Sequence, residues 1–127
     1  MTPQALLLLL LALQAKHFAG DYLLQSARMV RCKGIYGNLV GISHSAIHAA
    51  LTLGVLLVVA PVSMALASGI AVVEFAVHYH TDWAKEQLTG RAGYTVEDRG
   101  YWVTLGLDQF VHQATYVVIV YAVVSAA

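Results

Sequence analysis

Residues 38–60 read NLVGISHSAIHAALTLGVLLVVA and contain no Asp, Glu, Lys or Arg. A transmembrane helix needs about 20 mainly apolar residues, so this stretch predicts a membrane span. Two histidines, His44 and His48, nevertheless lie inside it, four residues apart. Residues at this spacing share one face of a helix. Because ionisable groups are costly in lipid, we expect that face to contact other helices.

The composition of the whole chain is typical of a membrane protein. The 127 residues are 59% hydrophobic and only 11% charged, whereas a soluble domain has about 25% charged residues. The formal net charge is zero, so there is no basic excess for binding nucleic acid. A single cysteine, Cys32, excludes an internal disulfide, a four-cysteine zinc site and a dithiol redox mechanism. The length fits one domain.

Three further stretches have the length and apolarity of membrane spans. Together with the first they predict one all-α domain, residues 1–127, with spans at about 3–29, 38–60, 63–88 and 98–124. Pro61 and the two residues after it leave only a short turn between the second and third spans. Since short connections make consecutive helices antiparallel neighbours, we expect an integral membrane four-helix bundle with up-down-up-down topology.

The basic residues predict the orientation of this bundle. Apart from Lys16, they lie in or beside the first and third connections: Arg28, Arg31, Lys33, Lys85, Arg91 and Arg99. The positive-inside rule therefore places both basic connections in the cytoplasm and both termini outside. Lys16 lies deep in the first span, and the sequence leaves open whether it faces the bundle, pairs with a carboxylate or snorkels to the surface.

Each predicted span carries polar residues, and most successive ones are four positions apart. They are His17, Asp21 and Gln25 in the first span; His44 and His48 in the second; Glu74, His78 and Asp82, with Lys85 close behind, in the third; and Asp108, Gln109 and His112 in the fourth. Four-residue spacing places each set on one helix face. Lipid cannot solvate four such faces, so we expect them to meet in the centre of the bundle.

Nine His, Asp and Glu side chains from these sets fall at a common depth. Counted from the proposed cytoplasmic ends, they occupy a band of about 12 Å. Imidazole and carboxylate together suit zinc, iron or manganese, so we predict one or two divalent metal ions. The candidate ligands are His17, Asp21, His44, His48, Glu74, His78, Asp82, Asp108 and His112. We expect Gln25 and Gln109 to orient ligands, and Lys85 to lie at the interface or contact a lipid headgroup.

The combined motifs resemble a family of bacterial and phage membrane proteins, catalogued as domain of unknown function 3307. The motifs are His17-Phe-Ala-Gly-Asp21-Tyr-Leu-Leu-Gln25, His44-x3-His48, Glu74-x3-His78-x3-Asp82-x2-Lys85 and Asp108-Gln109-x2-His112. The resemblance implies a small polytopic protein of the bacterial inner membrane, and it implies no particular activity. A weaker similarity to membrane-bound metal-dependent hydrolases is an analogy for the class of reaction.

The sequence predicts, as the leading function, a metal-dependent hydrolase that acts on a lipid-linked or amphiphilic substrate. A bound divalent metal would activate water as the nucleophile, and Glu74 or Asp108 would act as the base. The depth of the polar band predicts access from the cytoplasmic leaflet, with membrane lipids as partners. Basic residues of the two cytoplasmic connections could then hold a phosphate headgroup.

Other functions could use the same polar layer. A di-iron centre could oxidise a lipid, although ferritin-like bundles use Glu-x2-His spacing and this chain uses a spacing of four. A haem could be held by His17 with His78 or by His48 with His112, although four nearby carboxylates argue against it. A proton or metal-ion carrier could use an intramembrane His/Asp/Glu layer. The sequence leaves open purely structural packing and a homodimer that completes the bundle.

Overall fold

The computed structural model describes residues 1–126, and the regular structure of this range is entirely helical. It contains five α-helices: α1, Pro3–Phe18; α2, Ala27–Cys32; α3, Leu39–Val59; α4, Met64–Ala92; and α5, Arg99–Ala126. A π-helical turn, Ala19–Leu23, continues directly from α1. The prediction of an all-α protein is therefore confirmed.

Capping residues fix where the long helices begin. A side-chain oxygen accepts a hydrogen bond from a first-turn backbone N–H in three of them: Thr2 before α1, Asn38 before α3 and Ser63 before α4. Such caps satisfy N–H groups that have no partner inside the helix. At its other end α4 continues past the predicted limit of 88 to Ala92, where Gly93 adopts a left-handed φ of 66° and ends the helix.

The first span is shorter in the structure than the predicted range of 3–29. The helix continues through the π-helical turn to Leu23, after which the chain leaves the helical path. Ser26 starts a separate short helix, α2, because its hydroxyl accepts a hydrogen bond of 3.2 Å from the Met29 N–H. Since α2 packs against α3, it belongs to the connection between α1 and α3.

The four long helices enclose a common interior. The helix α1 contacts α3 and α5, and α4 also contacts α3 and α5. Apolar side chains fill one end of this interior: Leu9, Leu13, Leu56, Ala67, Tyr116, Ile119 and Val123. The buried polar residues lie further along the same helices, so the fold has an apolar half and a polar half.

Within residues 1–126, three helical segments are long and apolar enough to cross a membrane. They are Pro3–Leu23, Leu39–Val59 and Arg99–Ala126. The predicted span at 63–88 corresponds to α4, which is less apolar because Glu74, His78 and Asp82 lie within it. Large apolar side chains are exposed on the outside of the protein, among them Leu7, Val58, Val72 and Tyr121. Extensive apolar exposure of this kind marks a surface that contacts lipid or another protein.

Candidate metal centre

The predicted ligands converge from four helical segments into the interior. All of them are buried except Asp21, whose side chain is 13% exposed. They lie on the α1–π segment, α3, α4 and α5: His17, Asp21, His44, His48, Glu74, His78, Asp82, Asp108 and His112. Helices that are separate in sequence therefore bring their polar faces together.

One group of side chains surrounds Asp21. We call Asp21, His44, His48 and His78 the first ligand group, because one ligand atom from each lies within 4.8 Å of all the others. The Asp21 Oδ1 atom is 3.3 Å from His44 Nε2 and 3.2 Å from His48 Nε2. The Nε2 atoms of His44 and His78 are 3.2 Å apart. Three imidazoles and one carboxylate thus face the same small space.

A second ligand group, His78, Asp82 and His112, adjoins the first and shares His78 with it. The Asp82 Oδ1 atom is 3.4 Å from His112 Nε2, whereas its Oδ2 atom is 3.4 Å from His44 Nε2. Asp108 lies beside this group, with Oδ1 3.3 Å from His112 Nε2. Each oxygen of Asp82 therefore faces a different ligand group, and this carboxylate could supply a ligand to an ion held in either.

The distances between these atoms fit a metal centre. Four ligands bound tetrahedrally at about 2.0–2.1 Å lie roughly 3.3–3.4 Å from one another. Three of the ligand-atom pairs here are 3.2–3.5 Å apart, and all the ligand atoms of each group lie within 4.8 Å of one another. Hydrogen-bond geometry is poor despite this proximity: in the described part of the chain, His48 Nε2 and Asp21 Oδ1, which lie 3.2 Å apart, have no hydrogen-bond partner. Buried polar atoms are rarely left in this condition, and a cation bound between them would satisfy them.

The charge of the interior also favours a cation. Among residues 1–126, four carboxylates meet here, on Asp21, Glu74, Asp82 and Asp108, and two lysines accompany them, Lys16 and Lys33. Neutral histidines would leave two negative charges without a counter-charge. Because an uncompensated buried charge is very costly, one divalent ion would bring this interior to neutrality.

Lys16 faces the interior and forms a buried ion pair with Glu74. Its ammonium group also lies 3.5 Å from the His48 carbonyl oxygen and 4.6 Å from the centre of the Tyr116 ring. Of the three alternatives for Lys16, the structure therefore shows that it faces the bundle and pairs with a carboxylate. Glu74 lies beside the two ligand groups and belongs to neither.

His17 flanks the first ligand group. Its Nε2 atom is 3.2 Å from both Asp21 Oδ2 and Gln109 Oε1. Its Nδ1 atom is 2.8 Å from the Tyr116 hydroxyl, so both ring nitrogens are engaged. The sequence analysis missed Tyr116, although it follows His112 by four residues and thus continues the polar face of α5.

Lys33, which the sequence analysis assigned to a basic connection and a possible headgroup contact, lies against the ligands instead. It comes from the connection before α3, and its ammonium group lies 2.9 Å from Asp82 Oδ2. Its side chain is only 10% exposed. A loop residue has no helical periodicity that could have indicated this position.

The three accessory residues have different surroundings. The Gln25 amide donates a hydrogen bond of 3.0 Å to the Asp21 carbonyl oxygen, and so supports the backbone of the π-helical turn. The Gln109 amide donates to Asp108 Oδ2 at 3.3 Å while its oxygen faces His17. Lys85 pairs with the neighbouring Glu86 at 2.5 Å.

The π-helical turn determines how closely α1 approaches α3. At Gly20 within this turn, an added Cβ atom would lie 2.3 Å from His48 Nε2 and 2.4 Å from His48 Cε1. Any side chain larger than hydrogen would therefore displace the His48 ring. Single π-helical turns often occur at functional sites, and this one brings Asp21 within reach of His44 and His48.

Comparison with known proteins gives a family and no activity. Residues 6–127 match the family model described as Protein of unknown function (DUF3307). No curated protein and no solved structure matches the chain. The matched range contains every motif that carries the ligand groups. The chain therefore belongs to the DUF3307 family.

Proposed function

We propose that this protein is an integral membrane four-helix bundle with up-down-up-down topology. The contacts of α4 with both α3 and α5 support α4 as the fourth span. Glu74, His78 and Asp82 of α4 are buried, whereas Val72 and Val73 are 67% and 63% exposed, as expected for a helix between lipid and a polar interior. The basic connections would face the cytoplasm, and the membrane would be the bacterial inner membrane.

The bundle binds one or two divalent metal ions between the two ligand groups. The observation that carries this proposal is the convergence of ligand atoms from Asp21, His44, His48, His78, Asp82 and His112 at the separations of a coordination shell. Nitrogen and oxygen donors without sulfur suit zinc, iron or manganese. The stacking of the His48 and His78 rings, with centres 3.9 Å apart, favours small ions over a planar haem.

The chemistry that we propose is hydrolysis. A divalent metal activates water and polarises a phosphoryl or carbonyl oxygen. Asp108 would act as the base: it is buried beside the second ligand group, with its Oδ1 atom 3.3 Å from His112 Nε2. It would take a proton from the attacking water, and the leaving oxygen would receive that proton as its ester bond breaks. Glu74 is less suited to this role because Lys16 already holds it.

A groove beside Asp108 supports a lipid-linked or amphiphilic substrate. It has a volume of about 340 Å³, lies between α4 and α5, and is lined by Ala84, Lys85, Leu107 and Asp108 among others. Its walls are mainly apolar, so a substrate could reach Asp108 from the membrane. Lys33, beside Asp82, adds a cation that could hold an anionic ester group.

Transport of a metal ion or proton across the membrane is the second candidate function. It is favoured by the sharing of His78 between the two ligand groups, which would allow one ion to pass between adjacent positions. A carrier would move ions across vesicles in proportion to an imposed gradient, and a hydrolase would not.

Turnover tests the hydrolase proposal. Metal-loaded protein would be assayed for ester hydrolysis on phosphatidic acid, phosphatidylglycerol and an acyl ester in mixed micelles. We expect Asp108→Asn to retain metal and to lose activity about 100-fold or more, as for removal of a general base. Asp98→Asn is the matched control, because Asp98 is exposed and its side chain hydrogen-bonds only Thr95 among the described residues. Full activity of Asp108→Asn, or no hydrolysis of any of these esters, would contradict the proposal.

A further inference from the structure

A lysine contacts the carboxylate that faces both ligand groups. Lys33 directly follows α2, and its ammonium group lies 2.9 Å from Asp82 Oδ2. The Nε2 atoms of His44 and His78 are 3.4 Å and 3.5 Å from the same oxygen. A cation that belongs to the protein itself is therefore the nearest charged partner of Asp82 among the described residues.

Contacts with α3 and α4 hold Lys33 in this position. The Gln87 amide on α4 donates a hydrogen bond of 2.8 Å to the carbonyl oxygen of Gly34, the next residue in the chain. At Gly41 on α3, an added Cβ atom would lie 2.8 Å from the Cys32 carbonyl oxygen, so α3 packs directly against the backbone before Lys33. The Lys33 side chain is only 10% exposed. Its ammonium group is thus a fixed part of the centre.

His78 limits the number of ions that the two ligand groups can hold together. Its Nε2 atom faces both groups, since it is 3.2 Å from His44 Nε2 and 3.5 Å from Asp82 Oδ2. A neutral imidazole has one nitrogen that can accept, and the other carries a proton, so His78 cannot bind an ion in each group. With His78 the first ligand group has four ligands, enough for a tetrahedral shell. The second group then keeps only Asp82 and His112.

The charge of the interior leads to the same number. One divalent ion neutralises the two negative charges that remain when Lys16 and Lys33 are counted against the four carboxylates. A second divalent ion would leave two positive charges buried, which is very costly without a counter-charge. Lys33 therefore supplies, beside Asp82, positive charge that a second ion would otherwise bring.

We propose that the centre holds a single divalent ion in the first ligand group, and that the Lys33 ammonium group takes the place of a second ion at Asp82. The inference rests on the proposed metal centre, and it adds the number of ions and the residue that sets this number. An ammonium group has three N–H donors. Beyond its contact with Asp82, Lys33 can therefore also hold an oxygen of the substrate, as a second ion does in two-metal sites.

Counting bound zinc tests the proposal. Protein in detergent would be loaded with excess zinc, desalted and examined by elemental mass spectrometry. We expect one equivalent in the natural protein and two in Lys33→Glu. In that variant the introduced carboxylate replaces the ammonium group and, with Asp82, Asp108 and His112, provides a second set of ligands. Arg31→Met is the matched control, because Arg31 is exposed in the same connection, and it should bind one equivalent.

Lys33→Met gives a second test that does not depend on the folding of Lys33→Glu. Methionine is similar in length to lysine and has no charge. If the ammonium group acts as a competing cation, its removal should raise the zinc affinity about tenfold or more in a dye competition assay. If Lys33 only orients Asp82, the zinc affinity should fall, as it does when a residue that supports a ligand is lost. The direction of the change therefore separates the two roles.

Several outcomes would overturn the proposal. They are two equivalents of zinc in the natural protein, one equivalent in folded Lys33→Glu, and a zinc affinity of Lys33→Met that is no higher than that of Arg31→Met. Circular dichroism with zinc present shows whether Lys33→Glu is folded, and the affinity of Lys33→Met decides if it is not. One equivalent in every folded variant would retain the metal centre and reject the role of Lys33, whereas no zinc in any of them would reject the metal centre itself.

Discussion

Substitution of Gly20 by alanine is the sharpest structural test of the ligand arrangement. The added Cβ atom would lie 2.3–2.9 Å from three atoms of the His48 ring, whereas carbon atoms in contact are normally about 3.5–4.0 Å apart. The His48 ring must therefore move by about 1 Å or more. A metal–nitrogen bond of about 2.0–2.1 Å cannot stretch by that amount, so His48 would be lost as a ligand.

The expected effect is large on metal binding and small on stability. Loss of a residue that merely orients a ligand costs about 10–100-fold in metal affinity, so displacement of His48 should cost about 100-fold or more. Crowding a packed interior costs about 1–3 kcal/mol, and replacement of a helical glycine by alanine returns about 1 kcal/mol. We therefore expect a net destabilisation of no more than about 2 kcal/mol.

Competition with a chelating dye would measure the metal affinity, and thermal unfolding in detergent would measure the stability. Gly54→Ala is the matched control, because its Cβ atom would meet nothing within 4 Å in the described chain. The control should keep its metal affinity and lose no stability. If Gly20→Ala binds metal as tightly as Gly54→Ala does, the proposed role of His48 as a ligand is wrong.

Three further predictions concern the surroundings of the centre. Tyr116→Phe removes the hydroxyl that lies 2.8 Å from His17 Nδ1, and dye competition should show a loss of metal affinity of about tenfold; an unchanged affinity would show that His17 needs no such support. Lys16→Met leaves Glu74 buried without its cation and should destabilise the protein by about 3–5 kcal/mol. The double variant with Glu74→Gln should recover most of that loss in a denaturation assay, and failure to recover would show that Lys16 acts through packing alone. Metal affinity should fall as the pH drops below about 6.5, because imidazoles that gain protons cannot bind metal. A metal affinity that does not change between pH 7.5 and pH 5.5 would argue against histidine ligands.

The main helices could be predicted from the sequence because hydropathy and the spacing of polar residues form patterns that extend over whole helices. The apolar residues of 39–59 and the four-residue spacing of His44 and His48 suffice to predict a helix with a buried polar face. The same spacing in α4 and α5 predicts that Asp82 and His112 face this helix. The structure brings these side chains together as two ligand groups.

Other features of the site depend on tertiary contacts that no periodic pattern contains. Lys33 lies in a connection, where the direction of a side chain is set by how the loop folds onto α4. The partner of Lys16 could not be identified, because four carboxylates were available and only the packing of α1 against its neighbours selects Glu74.

The π-helical turn is the least predictable element. It shifts the register of the helix by one residue, and its only visible sign in the sequence is the small residue Gly20 ahead of Asp21. The need for glycine becomes clear only when the His48 ring is found against it. The first span therefore ends at Leu23 in the structure, and not at the predicted position 29.

Metal content tests the central claim most directly. Protein purified in detergent without chelators would be examined by elemental mass spectrometry alongside His78→Ala and His80→Ala. His78 is shared by both ligand groups, whereas His80 lies two residues away and is exposed, beside the Tyr36 hydroxyl. We predict one to two equivalents of zinc, iron or manganese in the natural protein and in His80→Ala, with most of it lost in His78→Ala. Folded natural protein without metal, or equal metal in both variants, would contradict a metal centre in this bundle.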